Sequence, residues 1–303
     1  MEGGSLRLGT RGSALALAQA GTVSRALGGA EVVPVRTSDA DAGDKARFVR
    51  GVERAILDGT VDIGVHSAKD LPGELPDGLE IVAVPGREDP ADAYLGAAGS
   101  LADVPEGARV GTASLRRRAQ LAALRPDLEL VELRGNVDTR IGKLAAGECD
   151  GIVLAVAGLS RLGRAAEIAF AFDVELMTPA PGQGALALEV RKGDERAATA
   201  AAHLLDRASV IEFTAERAAT VALGADCHTP VGVLARASGD ELGVDGFAGL
   251  ADGSEWVRDR VEGSADDAAA LGAALAERML AAGAADILRH AAASSASRPG
   301  AAG

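Results

Sequence analysis

The stretch 109–124, RVGTASLRRRAQLAAL, contains a complete strand–turn–helix unit. Residues 109–111 predict the end of a buried strand, residues 112–114 provide a polar cap, and residues 115–124 have helical spacing. A strand, a small polar turn and a helix in this order are the building block of an α/β fold. Basic residues 116–118 follow the cap, where they oppose the helix dipole unless an anion is bound. The unit therefore predicts an anion site.

The same unit recurs on both sides of this stretch. Further strands are predicted at residues 6–9, 32–36, 61–66, 79–84, 128–133 and 150–155. Strand-to-helix turns of a parallel sheet lie on one edge, where ligands bind. Four arginines occupy such turns in the middle of the chain: Arg116, Arg117, Arg134 and Arg140. They predict a cleft for a ligand with several carboxylates or phosphates.

Two clusters of Pro and Gly, residues 85–90 and 178–184, predict crossings between lobes. We expect an α/β fold with two hinged lobes like those of periplasmic binding proteins. The first lobe would comprise residues 1–86 and 183–204, and the second residues 90–178. Residues 207–290 alternate like antiparallel strands and end in a helix, which predicts a small α+β domain. Residues 291–303 are rich in Ala, Ser and Gly and predict a disordered tail.

The composition argues against several classes of protein. The 303 residues carry a net charge of −13, which is unfavourable for general nucleic-acid binding. The two cysteines and four scattered histidines have no metal-ligand spacing and form no disulfide scaffold. No apolar run approaches the roughly 18 residues of a membrane span, and residues 1–4 lead directly into a strand. We expect a cytoplasmic protein that binds no metal, membrane or nucleic acid.

The segment 223–232, LGADCHTPVG, places a thiol on a tight polar loop. Gly224 can end the preceding helix in a left-handed conformation, and Pro230 prevents the helix from restarting. An accessible Cys227 between Asp and His can be activated, as a covalent attachment site requires. A free surface cysteine is the alternative. Lys69 and Asp70 follow the strand at 61–66, where a ligand site and a surface ion pair are both possible.

Seven ordered segments resemble the porphobilinogen deaminase family, also called hydroxymethylbilane synthase. They are residues 8–13, 62–72 (DIGVHSAKDLP), 110–120, 133–140 (LRGNVDTR), 150–163, 181–189 (PGQGALALE) and 215–232. The resemblance implies a transferase that joins four porphobilinogen molecules head to tail into hydroxymethylbilane, with release of ammonia, in tetrapyrrole biosynthesis. It also implies a monomer with a dipyrromethane cofactor covalently attached to Cys227 through a thioether.

The resemblance also implies site residues. Asp70 matches the catalytic aspartate, which would hold pyrrole N–H groups and stabilise the cation left by ammonia. Arginines suit the acetate and propionate groups of porphobilinogen because they pair with carboxylates through two hydrogen bonds. The implied cofactor-binding residues are Cys227, Lys69, Asp70, Thr112, Ser114, Arg116, Arg117, Arg134 and Gly135. The implied substrate-binding residues are Arg11, Ser13, Arg134, Arg140 and Gln183. Arg118 matches no family position and is expected on the surface, and Cys149 is expected to be a packed thiol.

The loop 37–47 departs from the family pattern. The family has a longer loop that ends in Gly-Gly-Lys-Gly-Leu-Phe, whereas residues 42–48 read AGDKARF. Lys45 matches the last lysine of that loop and is a possible lid residue. The short loop leaves two alternatives, a catalytically impaired relative and a two-lobed protein that binds small anions. A covalent pyrrole adduct on Cys227 would separate the enzyme lineage from the binding protein.

Overall fold

The computed structural model describes residues 5–35, 45–226 and 229–296. The strands are β1 (Arg7–Arg11), β2 (Glu31–Val35), β3 (Ile63–Ser67), β4 (Leu79–Ala83), β5 (Asp92–Gly96), β6 (Arg109–Gly111), β7 (Glu129–Val131), β8 (Gly151–Ala155), β9 (Phe170–Ala171), β10 (Leu186–Arg191), β11 (Val231–Ser238), β12 (Glu241–Gly249) and β13 (Trp256–Ser264). The helices are α1 (Ala14–Ala26), α2 (Lys45–Leu57), α3 (Leu115–Leu124), α4 (Val137–Ala145), α5 (Val156–Arg161), α6 (Glu195–Ala202), α7 (Arg207–Ala222), α8 (Ala268–Met279) and α9 (Ala285–Ala296).

The first lobe is built on a five-stranded sheet with the order β2-β1-β3-β10-β4. β1 pairs in parallel with β2 and β3, while β10 runs antiparallel to β3 and β4. Apolar residues of α1, among them Ala20 and Val23, pack on Leu8 and Ile63 of the sheet. This parallel core leaves the carboxyl ends of β1 and β3 at one edge, where the turns to helices begin.

The second lobe repeats this plan with the order β7-β6-β8-β5-β9. β5 runs antiparallel to β8, as β10 does to β3 in the first lobe. Each sheet thus receives one antiparallel strand from the chain that has just crossed between the lobes. The first four residues of β8, GIVL, are buried, as expected for a central strand covered on both faces. The predicted two-lobed α/β fold is confirmed.

The third domain is an antiparallel sheet, β11-β12-β13, covered by α7 and α8. The two helices approach closely because Gly272 has no side chain: a Cβ there would lie 2.0 Å from the carbonyl oxygen of Ala215. The predicted single C-terminal helix is interrupted at Gly283, which has φ +107. The predicted tail is wrong at its start, because α9 continues to Ala296.

The segment Ala265–Ala293 is the one candidate membrane span among the described residues, judged by length and apolarity alone. Its most apolar window is 33% buried within the third domain. Core helices of globular proteins meet the same two criteria. The finding is therefore weak evidence for a membrane span.

Candidate active site

The first lobe contributes a cation and a carboxylate at the ends of β1 and β3. Arg11 ends β1, and Ser13 caps α1 by accepting a hydrogen bond from the amide of Ala16 at 3.3 Å. β3 leads into a 3-10 turn at residues 68–70 that carries Lys69 and Asp70. The Asp70 carboxylate lies 3.5 Å from Arg11 Nη1, and these residues border a cavity of about 70 Å³. The sheet edge therefore brings together residues that are distant in sequence.

The second lobe contributes a buried pair of arginines from the first turn of α3. Arg116 Nη1 donates to Asp92 Oδ2 at 2.7 Å, and Arg117 Nη2 donates to Asp92 Oδ1 at 2.7 Å. Both also donate to backbone carbonyls, of Thr178 and Val153. Asp92 is fully buried, and the two guanidiniums outweigh its desolvation, so that its pKa lies far below the usual range. The sequence reasoning missed Asp92, although an aspartate at the start of an apolar strand was a possible signal.

Arg140, in the first turn of α4, adds a third cation to this part of the cleft. Burial, together with repulsion from Arg117, lowers its pKa to about 10. Its Nε is buried and has no hydrogen-bond partner among the described residues. Arg116 and Arg117 thus share one carboxylate, Asp92, while Arg140 lies close enough to Arg117 for the two charges to repel each other. Such a surplus of buried positive charge is costly unless an anion compensates it.

Gln183 connects the two halves of the site. Its Oε1 accepts a hydrogen bond from Lys69 Nζ at 3.1 Å, and its Nε2 donates to Asp92 Oδ1 at 2.9 Å. Nε2 also donates to the carbonyl of Pro90, in the first crossing, at 2.7 Å. Gln183 lies in the second crossing and is buried. This one amide therefore ties the turn at residues 68–70 of the first lobe to the arginine cluster of the second.

The remaining predicted residues of the second lobe differ in exposure. Thr112 is buried and accepts a hydrogen bond from the Ser114 amide at 3.2 Å, while the Ser114 side chain makes no capping bond to α3. Arg134 is 76% exposed and binds Glu132 at 2.6 Å, outside the buried cluster. Gly135 is exposed and has φ +127. Ser114 and Arg134 thus present polar groups that a ligand can reach.

Arg118 and Cys149 were expected outside the site. Arg118 is only partly exposed and donates to the carbonyl of Leu130 at 2.8 Å. It therefore ties α3 to β7 while it stays partly exposed at the surface. Cys149 is a free thiol, 3% exposed, and burial raises its pKa. It is a packed thiol, as predicted.

Cys227 lies outside the described residues, as do most residues of the loop 37–47. On one side of Cys227, Gly224 ends α7 with φ +61, as predicted. The flanking residues are linked by a hydrogen bond of 2.6 Å from Thr229 Oγ1 to Asp226 Oδ1. Lys45 is the first residue of α2, and the position of its side chain is not among the described features.

A buried ion pair attaches the third domain to both crossings. Arg87 Nη1 lies 2.7 Å from Glu216 Oε1 of α7, and Arg87 Nε donates to the carbonyl of Gln183 at 2.9 Å. Glu216 also accepts from the amides of Gly182 and Ala235, at 2.6 and 2.8 Å. The sequence reasoning missed this pair, because nothing in the local pattern links residues so far apart. The pair fixes α7 of the third domain against the backbone of the second crossing, next to the side chain of Gln183.

These features define a class: a two-lobed α/β protein whose cleft combines an arginine cluster with an aspartate at a strand end, and which has a small third domain. The family model "Porphobilinogen deaminase, dipyromethane cofactor binding domain" matches residues 6–199. The model "Porphobilinogen deaminase, C-terminal domain" matches residues 210–281. The chain belongs to the porphobilinogen deaminase family.

Two relatives illustrate the similarity. A porphobilinogen deaminase of Syntrophus aciditrophicus is 44% identical over 300 residues, which cover 94% of this chain and 98% of the relative. One from Roseiflexus castenholzii is 47% identical over 294 residues, which cover 92% of this chain and 97% of the relative. Among solved structures, a TRAP periplasmic solute binding protein from Desulfovibrio salexigens has a TM-score of 0.40 at 12% identity, covering 66% of this chain and 72% of that protein. This last likeness is too remote to inform function.

Proposed function

We propose that this chain polymerises four porphobilinogen molecules head to tail into hydroxymethylbilane, with release of ammonia, in tetrapyrrole biosynthesis. The observation that carries the proposal is the excess of positive charge in the cleft: Arg116 and Arg117 share the carboxylate of Asp92, and the pKa of Arg140 is lowered by burial and by the neighbouring Arg117. Each porphobilinogen unit brings an acetate and a propionate. A growing polypyrrole therefore supplies the carboxylates that the cluster lacks. Membership of the porphobilinogen deaminase family supports the same activity.

A dipyrromethane cofactor fits the residues present. Arg116 Nε is buried without a partner among the described residues. It would donate a hydrogen bond to a cofactor carboxylate, in addition to the bonds that Arg116 makes to Asp92. We propose that Cys227 carries the cofactor through a thioether. When bound, the cofactor supplies the terminal pyrrole ring to which the first substrate unit is joined. The proposed contacts within the cleft are Lys69, Asp70, Thr112, Ser114, Arg116, Arg117, Arg134 and Gly135.

Asp70 is the proposed catalytic residue. Its side chain is 17% exposed at the mouth of the cavity, and Arg11 restrains it from one side. Loss of ammonia from porphobilinogen leaves positive charge on the substrate, and an adjacent carboxylate stabilises that charge. The same carboxylate can accept hydrogen bonds from pyrrole N–H groups and so orient the substrate.

Substrate carboxylates would bind around this aspartate. The proposed contacts are Arg11, Ser13, Arg134, Arg140 and Gln183, and Lys45 is the proposed lid residue. An anion beside Arg140 would restore the pKa that burial and Arg117 lower. Gln183 contacts both Lys69 and Asp92. A ligand that breaks either hydrogen bond therefore weakens the link between the two lobes.

We also propose that the enzyme works in the cytoplasm as a monomer, without metal, nucleic acid or membrane. The net charge of −13 supports the absence of a nucleic-acid partner. Among the described residues, no group of three His, Cys, Asp or Glu side chains could hold a metal ion.

Intact mass tests cofactor attachment. Denatured wild-type protein should exceed its sequence mass by two condensed pyrrole units, and Cys227→Ser should not. Cys149→Ala is the matched control and should keep the excess, because Cys149 is buried. If wild-type protein stays unmodified even after incubation with porphobilinogen, the enzyme assignment fails and the anion-binding alternative gains support. A modified protein without turnover would instead identify an impaired relative.

Turnover of porphobilinogen tests Asp70. Asp70→Asn should lose at least about a hundredfold in kcat, because the amide cannot balance the developing positive charge. Asp58→Asn, at an exposed position after α2, is the control and should turn over like wild type. Full activity in Asp70→Asn would exclude the proposed role.

A further inference from the structure

Three ionisable side chains are buried together in the first lobe, and the proposed function uses none of them. Glu53 lies on α2, His66 on β3 and Glu189 on β10, with exposed fractions of 3%, 5% and 0%. His66 Nε2 lies 3.0 Å from Glu189 Oε2. Burying ionisable groups is costly unless they are paired or neutral, so the cluster requires a specific arrangement of protons.

The strand register explains why the imidazole meets this carboxylate. β3 and β10 are antiparallel, with His66 opposite Ala187 and Gly64 opposite Glu189. His66 and Glu189 are therefore diagonal neighbours on one face of the sheet. A Cβ at Gly64 would lie 2.7 Å from His66 Nε2 and 2.8 Å from Ile56 of α2. The missing side chain at Gly64 thus makes room for the imidazole between the sheet and α2.

The carboxylates of the cluster are incompletely paired. Glu189 Oε1 and Glu53 Oε1 are buried and have no hydrogen-bond partner among the described residues. Burial, followed by the charge of Glu189, raises the pKa of Glu53, while His66 acts in the opposite direction. Two ionised carboxylates side by side in a dry environment repel each other. The arrangement therefore favours retention of a proton.

The cluster lies directly beneath the catalytic turn. His66 is the residue before Ser67, with which β3 ends, and residues 68–70 form the turn that carries Asp70. His66 lines the same cavity as Asp70. Glu189 lies on β10, which begins three residues after Gln183. The cluster thus joins β3, which leads into the turn with Asp70, to β10, which follows the second crossing.

We propose that His66 is a positioning residue for Asp70, held in place by a proton that the cluster retains on Glu53. This inference rests on the role proposed for Asp70. The retained proton limits the negative charge beneath the turn, so β3 keeps its contacts with β10 and α2. Loss of the proton from Glu53 adds a buried negative charge beneath the turn and displaces the turn.

Other charged groups surround the cluster. Arg50 on α2 acts on Glu53, and Arg217 on α7 is close enough to Glu189 to interact with it electrostatically. The cavity that His66 lines is also bordered by Arg11, Lys69 and Asp70. Because folding raises the pKa of Glu53, the stability that Glu53 contributes falls as pH rises above the ordinary value of about 4.3. Activity that depends on the retained proton declines in the same direction.

Thermal unfolding of Glu53→Gln tests the retained proton. The neutral amide replaces the protonated carboxyl, so the variant should have a higher Tm than wild type near pH 8 and an equal Tm near pH 4. Glu74→Gln, exposed in the same lobe, is the control and should show no such dependence on pH. A lower Tm of Glu53→Gln near pH 8 would mean that Glu53 is ionised and paired, and would overturn the proposal.

Steady-state kinetics with porphobilinogen test the positioning role, with the loaded fraction of each variant measured by intact mass. His66→Gln can still donate from Nε2 to Glu189, whereas His66→Leu cannot. We expect kcat of His66→Leu to fall roughly tenfold to a hundredfold with KM near that of wild type, and His66→Gln to recover most of the loss. In a plot of kcat against pH, the decline on the alkaline side should move to higher pH in Glu53→Gln.

The outcomes separate this inference from the proposed function. If wild type turns over and His66→Leu has the same kcat, the positioning role is refuted and the proposed function stands. If His66→Leu does not fold, an unmoved alkaline limb in Glu53→Gln refutes the role by itself. If wild type shows no turnover, the proposed function fails together with the positioning role, and the Tm comparison still decides whether the cluster retains a proton.

Discussion

Replacing Asp92 by Asn removes the carboxylate that pairs with both Arg116 and Arg117. Each arginine donates to it at 2.7 Å, and Asp92 is fully buried. The amide keeps the size of the side chain but leaves both guanidiniums without a counter-charge. Removing one partner of a buried ion pair typically costs about 3–5 kcal/mol. At about 2–4 °C per kcal/mol, the Tm of the cofactor-free protein should fall by roughly 6–20 °C.

The loaded protein should respond less strongly. If cofactor carboxylates bind the same arginines, they supply part of the charge that Asp92→Asn removes. Differential scanning calorimetry measures the change in Tm for cofactor-free and for loaded protein, and intact mass identifies which form each preparation contains. Asp150→Asn is the matched control, because Asp150 pairs with Arg109 at 3.0 Å on the surface and its loss should hardly change Tm.

The dependence on pH adds a second check. The two arginines hold the pKa of Asp92 far below its ordinary value, so the stability it contributes is present above about pH 4 and is lost as pH falls further. The Tm difference between wild type and Asp92→Asn should therefore shrink in acid. A fall in Tm no larger than that of Asp150→Asn would refute the reasoning, as would equal falls in cofactor-free and loaded protein.

Three further variants probe the cleft and the domain contacts. Arg140→Met should raise KM for porphobilinogen at least tenfold in steady-state kinetics, and an unchanged KM would place substrate elsewhere. It should also raise the Tm of cofactor-free protein, because it removes a half-buried positive charge whose pKa is lowered by burial and by Arg117 to about 10. Glu216→Gln should lower Tm by at least about 6 °C, since it breaks a buried ion pair, and a smaller loss would mean that the pair is not needed to hold the third domain. Gly232→Ala places a Cβ 2.6 Å from the carbonyl oxygen of Thr178 and should make the third domain more sensitive to limited proteolysis. Gly142→Ala is the control, because a Cβ there has nothing within 4 Å and should not change the sensitivity. Equal sensitivity of the two variants would contradict the close contact at Gly232.

Much of the fold could be predicted from local sequence. Ser13, Asn136 and Gly224 mark helix ends, and the structure places each at the end of a helix. These signals depend on hydrogen bonds and backbone angles within a few residues, so they can be read without knowing the fold. The end of the last helix was mispredicted, because Ala and Ser are compatible with both a helix and a tail.

The candidate site was only partly predictable. The arginines of α3 and α4 stood out because cations at helix N-termini are unfavourable without an anion. Their burial could not be read from this pattern: Arg116 and Arg117 are buried, whereas Arg134 is 76% exposed. Exposure depends on which neighbouring strands and crossings cover a residue. Nothing local to Arg116 points to Asp92, which lies 24 residues earlier in the chain.

Local sequence is sufficient to predict the α/β units, the two crossings between lobes, the family and the residue types proposed to contact porphobilinogen. These follow from short motifs whose chemistry and spacing are local. The polar pairings become visible only in the folded chain: Asp92 with two arginines, Gln183 between the lobes and Glu189 with His66. Such pairs depend on strand register and on the exclusion of water, which together set distance, dielectric environment and pKa. Both belong to the packed molecule and to no single stretch of the chain.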